Sequence, residues 1–130
     1  MSLDVINNGK VQDHFEELLD ELREALRVEH IMTKKEDFVY YEDVTQIPEE
    51  YDILPLRDLK RYYDTTEKNP KSRFKCITIE DVISADTDLL TLLDLFKDRK
   101  FYFVKKGRDI VGLVHYSDLK KHPVRVLFYI

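Results

Sequence analysis

The chain has one cysteine, three glycines, four prolines and no tryptophan among its 130 residues. The single cysteine, Cys76, excludes an internal disulfide and a cysteine-built zinc site. So few glycines exclude a glycine-rich phosphate loop of the P-loop type. No apolar run approaches the roughly 20 residues that span a bilayer, and the opening residues hold no basic leader followed by an apolar core. Together with the lone thiol, these absences set the expectation of a cytoplasmic protein without membrane contact. His14, His30, His115 and His122 show no metal-ligand spacing. No nucleophile–base–acid set assembles either, so the sequence carries no catalytic constellation and an enzyme is not expected.

The charge is plentiful but uneven. Charged residues make up 36% of the chain and the net charge is −5. Residues 97–125 hold nine lysines and arginines against three acids, so this stretch carries +6 and the remainder −11. An acidic chain with one short basic stretch does not fit a nucleic-acid binder, which is normally basic across the domain. The basic stretch reads as a solvated face or as a positive collar around a phosphate-bearing ligand.

A chain of this length buries about two-thirds of its unfolded surface and needs no metal or disulfide to fold. Three segments are expected. Residues 1–27 form a lead-in, with a turn at Asn7-Asn8-Gly9, and an amphipathic helix over about 13–28. The helix carries Phe15, Leu18, Leu19, Leu22, Ala25 and Leu26 at intervals of three and four. Asp13 and Glu16 have the form of its capping signal, and the stripe must pack on the chain or on a second copy. Residues 28–72 are less regular, with a short strand at 37–41, loop over most of 42–54, and a helix from Pro55 to Tyr63 that uses Leu56, Leu59 and Tyr63. A polar loop follows over 64–72. Residues 73–130 open with a strand at Phe74–Ile79, where Cys76 is expected as a small buried apolar residue.

From Ile79 the pattern sharpens. Ile83-Ser84-Ala85-Asp86-Thr87-Asp88 leads into a helix over about 88–99 built on Leu89, Leu92, Leu93 and Phe96. Phe101–Val104 is a strand, Lys106–Asp109 a turn in which Gly107 can take positive φ, and Ile110–His115 the returning strand. Gly112 lets another backbone approach closely because it has no Cβ. Ser117 and Asp118 then open a short helix at its unpaired N–H groups. The tail carries Val124, Val126, Leu127, Phe128 and Tyr129, more apolar surface than a free end needs.

The order and spacing over residues 79–122 resemble a CBS domain, the regulatory module named for cystathionine β-synthase. The matching pieces are Asp81-Val82-Ile83-Ser84, then Asp86-Thr87-Asp88-Leu89, the amphipathic helix, a strand, a glycine turn, and Ile110-Val111-Gly112-Leu113-Val114-His115-Tyr116-Ser117-Asp118-Leu119. The resemblance implies an α+β fold with a β-α-β-β-α unit, here preceded by the amphipathic helix and a divergent first half. Such units work in pairs, and the cleft between them often holds an adenosine-containing ligand of the AMP, ATP or S-adenosylmethionine class. A weaker likeness runs over 28–60: Val28-Glu29-His30-Ile31-Met32-Thr33 resembles a first entry, and Ile53–Leu59 faintly an exit. Ser84 to Asp118 spans 34 positions but Thr33 to Asp58 only 25, so nine residues are missing, enough to remove most of a helix. Residues 28–72 are therefore either a degenerate first unit or an insertion.

The resemblance implies a non-catalytic regulatory module with an adenine nucleotide as a non-covalent ligand. In that pattern Asp118 holds the ribose hydroxyls. His115 stands where the family has Thr or Ser near phosphate, and Ser117 is a second hydroxyl beside it. Ile83 and Val104 would flank the base, Ser84 and Thr87 stand at the start of the preceding helix, and Lys105 or Arg108 would favour phosphates. Each residue also has a structural reading: Asp118, Ser117 and Thr87 as helix caps, and His115 as a half-buried strand residue. The unusual His115 and the reduced first half also fit a pairing scaffold without ligand. The expected partners are a second copy, through CBS pairing, and a fused or associated effector.

Overall fold

The computed structural model describes the backbone of residues 8–120 and the side chains of 15–23 and 25–120. The apolar tail from Val124 to Tyr129, singled out above, lies outside the described residues, as does His122. An N-terminal helix α1 (Asn8–Ala25) leads through a 3-10 turn (Val28–His30) to β1 (Thr33–Lys34). Then come β2 (Ile53–Pro55), β3 (Arg61–Asp64), β4 (Phe74–Cys76), β5 (Val82–Ser84), α2 (Leu89–Leu95), β6 (Phe101–Lys106) and β7 (Asp109–His115). A last 3-10 turn spans Tyr116–Lys120. The mixed α+β class expected from the sequence is what the chain adopts.

Two sheets form. One has the order β1-β7-β6-β5, with β5 parallel to β6 and the other pairs antiparallel. The other is antiparallel, β2-β3-β4. The β5-α2-β6-β7 run with its terminal turn is the unit read from residues 79–122. Side chains alternate across each strand, and that alternation sorts the core into three layers. Val104, Val114, Leu89, Leu92 and Val28 pack on the helical side of the first sheet. Phe103 packs with Ile53 and Tyr62 between the sheets, while Leu54, Leu56 and Tyr63 form the outer layer with Val39, Tyr41 and Val44.

The sheets exchange their entry strands. β1, from the first half, pairs with β7 of the second through Thr33↔Leu113 and Lys34↔Gly112. β4, which leads into the second half, pairs with β3 of the first through Tyr62↔Lys75. Each entry is followed by a 3-10 turn of the same form, Lys35-Glu36-Asp37 and Ile79-Glu80-Asp81. Each half then builds a hairpin whose turn has one residue at positive φ, Leu59 at 53° and Gly107 at 65°. Gly112 is the seam. A Cβ there would lie 2.9 Å from the Thr33 carbonyl oxygen and 2.4 Å from Met32 Sδ.

Several local expectations are corrected. α1 starts at Asn8, so Asp13 lies inside the helix rather than at its cap, and Asn8-Gly9 are helical rather than a turn. Leu19 and Leu26 of its stripe reach the core, whereas Phe15, Leu18 and Leu22 are exposed. Residues 38–40 are extended but unpaired, the strand having formed at Thr33–Lys34 instead. Pro55 to Tyr63 is not a helix. Leu56, Leu59 and Tyr63 have helical spacing, but Pro55 pairs with Tyr62 and Leu54 with Tyr63 across a tight reversal. At that reversal the Asp58 carboxylate accepts the Lys60 N–H at 2.9 Å. Ile53–Pro55 is thus the first strand of a hairpin, in the place of β6 rather than of the exit strand β7. α2 is shorter than the 88–99 expected; Asp88 caps it by accepting the Thr91 N–H at 2.7 Å. Cys76 is exposed because it sits on an edge strand.

A charged cluster fastens β3 to β4. Lys75 Nζ lies 3.0 Å from Asp64 Oδ2 and 3.1 Å from Glu67 Oε2. Burial raises the Asp64 pKa, but hydrogen bonds from Thr66 and Lys75 outweigh it and the carboxyl ends below its ordinary value. Glu67 is lowered chiefly by Lys75, and Lys75 is raised by both acids.

Candidate functional site

The entry-strand exchange leaves a cleft where β1, β2 and the end of β7 meet. Its cavity has a volume of about 310 Å³ and is lined by residues of both halves. Phe38, Val39, Ile53, Pro55 and Leu113 supply apolar wall, and Tyr51 adds a ring. Thr33, Asp37, Glu50, Asp52, His115, Ser117 and Asp118 supply the polar groups. The volume falls at the small end of the range for ligand sites, about 300–1,000 Å³.

The turn after β7 shapes one wall. Asp118 is 4% exposed, and its Oδ2 accepts the His115 backbone N–H at 2.8 Å. This bond closes the strand end into the 3-10 turn, as the Asp81 carboxylate does by accepting the Thr78 N–H at 2.7 Å in the turn after β4. The Ser117 N–H donates to His115 Nδ1 at 3.0 Å. That makes Nδ1 the acceptor and puts the ring proton on Nε2. Nε2 lies 2.9 Å from Asp52 Oδ2, so the imidazole crosses the cleft and ties the second half to the first.

The residues singled out in the sequence divide into two groups. His115, Ser117 and Asp118 line the cleft together. Ile83, Ser84, Thr87 and Val104 do not. Ile83 and Val104 pack into the core on the helical face of the first sheet, whereas Leu113 of the cleft belongs to the opposite face. Ser84 is exposed and donates its hydroxyl to Asp86. Thr87 accepts the Val28 N–H at 2.8 Å through its carbonyl, where α1 leads into the core. Nor do Lys105 and Arg108 reach the cleft. They sit at the β6–β7 turn, toward the opposite end of β7 from His115, roughly 15–20 Å away at about 3.3 Å per residue.

Asp37, Glu50, Tyr51 and Asp52 escaped the sequence reading because they lie in irregular segments brought in by long-range contacts. Thr33 was visible as part of the first entry motif. Among the described residues no group of histidine, cysteine and acidic side chains is arranged to hold a metal ion, and no helix is long and apolar enough to cross a membrane.

The architecture is similar to that of a solved CBS domain of the bacterial CNNM/CorC family Mg2+ transporter. The likeness covers 94% of this chain and 93% of that one at a TM-score of 0.58, with 16% sequence identity. The fold is that of a CBS domain. A second structure of that transporter's CBS domain, in complex with the inhibitor IGN95a, matches at the same TM-score and identity over 94% of both chains. No protein-family model and no curated protein matches the sequence. Within the CBS fold, β5-α2-β6-β7 and the terminal turn form the complete unit, and the cleft opens where that unit meets residues 33–55.

Proposed function

We propose that this chain is a non-catalytic regulatory module that binds a small adenosine-class ligand in the cleft and couples its presence to how the two halves are held together. The observation that carries this reading is a cavity whose walls come from both halves of one chain, with His115 and Asp52 meeting across it. Residues 28–72 are, on this reading, a reduced first unit rather than an insertion. They keep the entry strand, the Glu-Asp turn and the hairpin, and have no α-helix. The solved CBS domain with an inhibitor bound supports the view that this fold accepts a small molecule.

Both walls of the cleft belong to one chain, so ligand binding does not depend on a second copy. A homodimer or an associated effector in the cytoplasm is the proposed receiver of the signal, for which the exposed Phe15, Leu18 and Leu22 offer a surface. A second reading, a pairing scaffold without ligand, is favoured by the His115–Asp52 contact, which already occupies part of the crossing. Calorimetric titration of the folded chain with adenosine, AMP, ATP and S-adenosylmethionine separates the two. Saturable heat with at least one of them is expected; heat with none, in protein shown to be folded, leaves the scaffold.

A further inference from the structure

We infer that the cleft discriminates against phosphate and favours a nucleoside-type ligand whose tail is positively charged, an inference that rests on the cleft being the ligand site proposed above. Four carboxylates line the cavity, Asp37, Glu50, Asp52 and Asp118, and among the described residues no lysine or arginine does. Asp118 is held by a backbone amide and Asp52 by the His115 ring. Asp37 and Glu50 are exposed on the cleft lining, and among the described residues neither has a hydrogen-bond or ion-pair partner. A phosphate entering here would meet uncompensated negative charge beside apolar walls, where water screens it less.

The molecule contains its own contrast. Asp81 holds the same place in the second Glu-Asp turn as Asp37 does in the first. It is buried and ion-paired with Arg99, whose guanidinium also lies over the Phe101 and Tyr102 rings. Among the described residues no lysine or arginine is ion-paired with Asp37. Lys105 and Arg108, the two basic residues expected beside a phosphate, do not compensate either. Both sit toward the far end of the β6–β7 hairpin, roughly 15–20 Å from His115, beyond a screening length of about 8 Å at physiological salt. A ligand with its base against Phe38, Ile53 and Leu113 and a cationic tail toward Asp37 and Glu50 satisfies both the apolar and the acidic parts of the lining.

A charge series at a single position tests this. The full chain is titrated by calorimetry, at fixed ionic strength, with 5′-amino-5′-deoxyadenosine, adenosine and AMP, which share base and ribose and carry a positive, neutral and negative tail. The amine is expected to bind tightest and AMP weakest, with steps of about five- to tenfold. The Asp37→Asn/Glu50→Gln double variant, its folding checked by thermal unfolding, is expected to shrink each step to about twofold or less. AMP binding as tightly as adenosine, or a series unchanged in the double variant, overturns the inference and leaves the cleft reading standing. Binding of none of the three removes the cleft reading and the inference with it.

Discussion

His115 Nε2 and Asp52 Oδ2 meet at 2.9 Å although 63 positions separate the two residues. The contact joins the end of β7 to the segment just before β2, and it spans the cavity rather than stiffening the core. Its side chains are 26% and 38% exposed. An exposed pair of this kind contributes under about 1 kcal/mol. Asp52→Ala is therefore expected to leave global stability within that margin in urea denaturation. A loss of several kcal/mol would place Asp52 in the folding core instead.

Gly112 is expected to be the least replaceable glycine. A Cβ there meets the Thr33 carbonyl at 2.9 Å and Met32 Sδ at 2.4 Å. The methionine can swing aside, but the carbonyl belongs to the β1–β7 ladder. Gly112→Ala should cost about 1–3 kcal/mol through overpacking, read as a lower midpoint in thermal unfolding. Gly107→Asn, with open space around it and φ of 65°, should cost far less, because Asn tolerates the left-handed region. Equal losses at the two positions would contradict the seam.

Asp118 is expected to report on stability before it reports on binding. It is buried and accepts the His115 N–H. Asp118→Ala leaves that donor unsatisfied, at a cost of about 1–3 kcal/mol. Asp118→Asn keeps an acceptor and should recover part of the loss. The comparison by chemical denaturation separates a cap from a group held only for ligand, since a ligand-only aspartate would tolerate both changes.

The Asp64–Lys75–Glu67 cluster makes stability fall in acid. Both carboxyls titrate below their ordinary values when folded, so the unfolded chain binds more protons as the pH drops. Their contribution is complete above the unfolded carboxyl pKa values, near 4, and is lost as pH falls through the lower folded values. Lys75→Gln should flatten that acid limb between about pH 5 and pH 2 in denaturation curves. An unchanged slope would show that the cluster does not hold β3 to β4.

What could be read in the sequence was local. Phe101–Val104, the Gly107 turn and Ile110–His115 carry their own alternation and punctuation, and Gly112 announced a close backbone approach. The family pattern brought out His115, Ser117 and Asp118. Pro55–Tyr63 misled because a short run with apolar residues three and four apart fits a helix as well as a hairpin, and only the pairing of Pro55 with Tyr62 decides. Ile83 and Val104 face the helical side of the sheet, away from the cleft, and nothing in a strand's alternation tells which of its two faces meets a ligand. The acidic wall of Asp37, Glu50 and Asp52 exists only once the entry strands have crossed between the halves.

The most direct test of a ligand cleft shared by the two halves is backbone amide chemical-shift mapping with adenosine added to the isotope-labelled chain. The account predicts shifts grouped in residues 33–39, 50–54 and 113–118, with Ser84, Thr87 and the Lys105–Arg108 turn unmoved. Shifts centred on Ser84 and Thr87, or none at saturating adenosine, would contradict it.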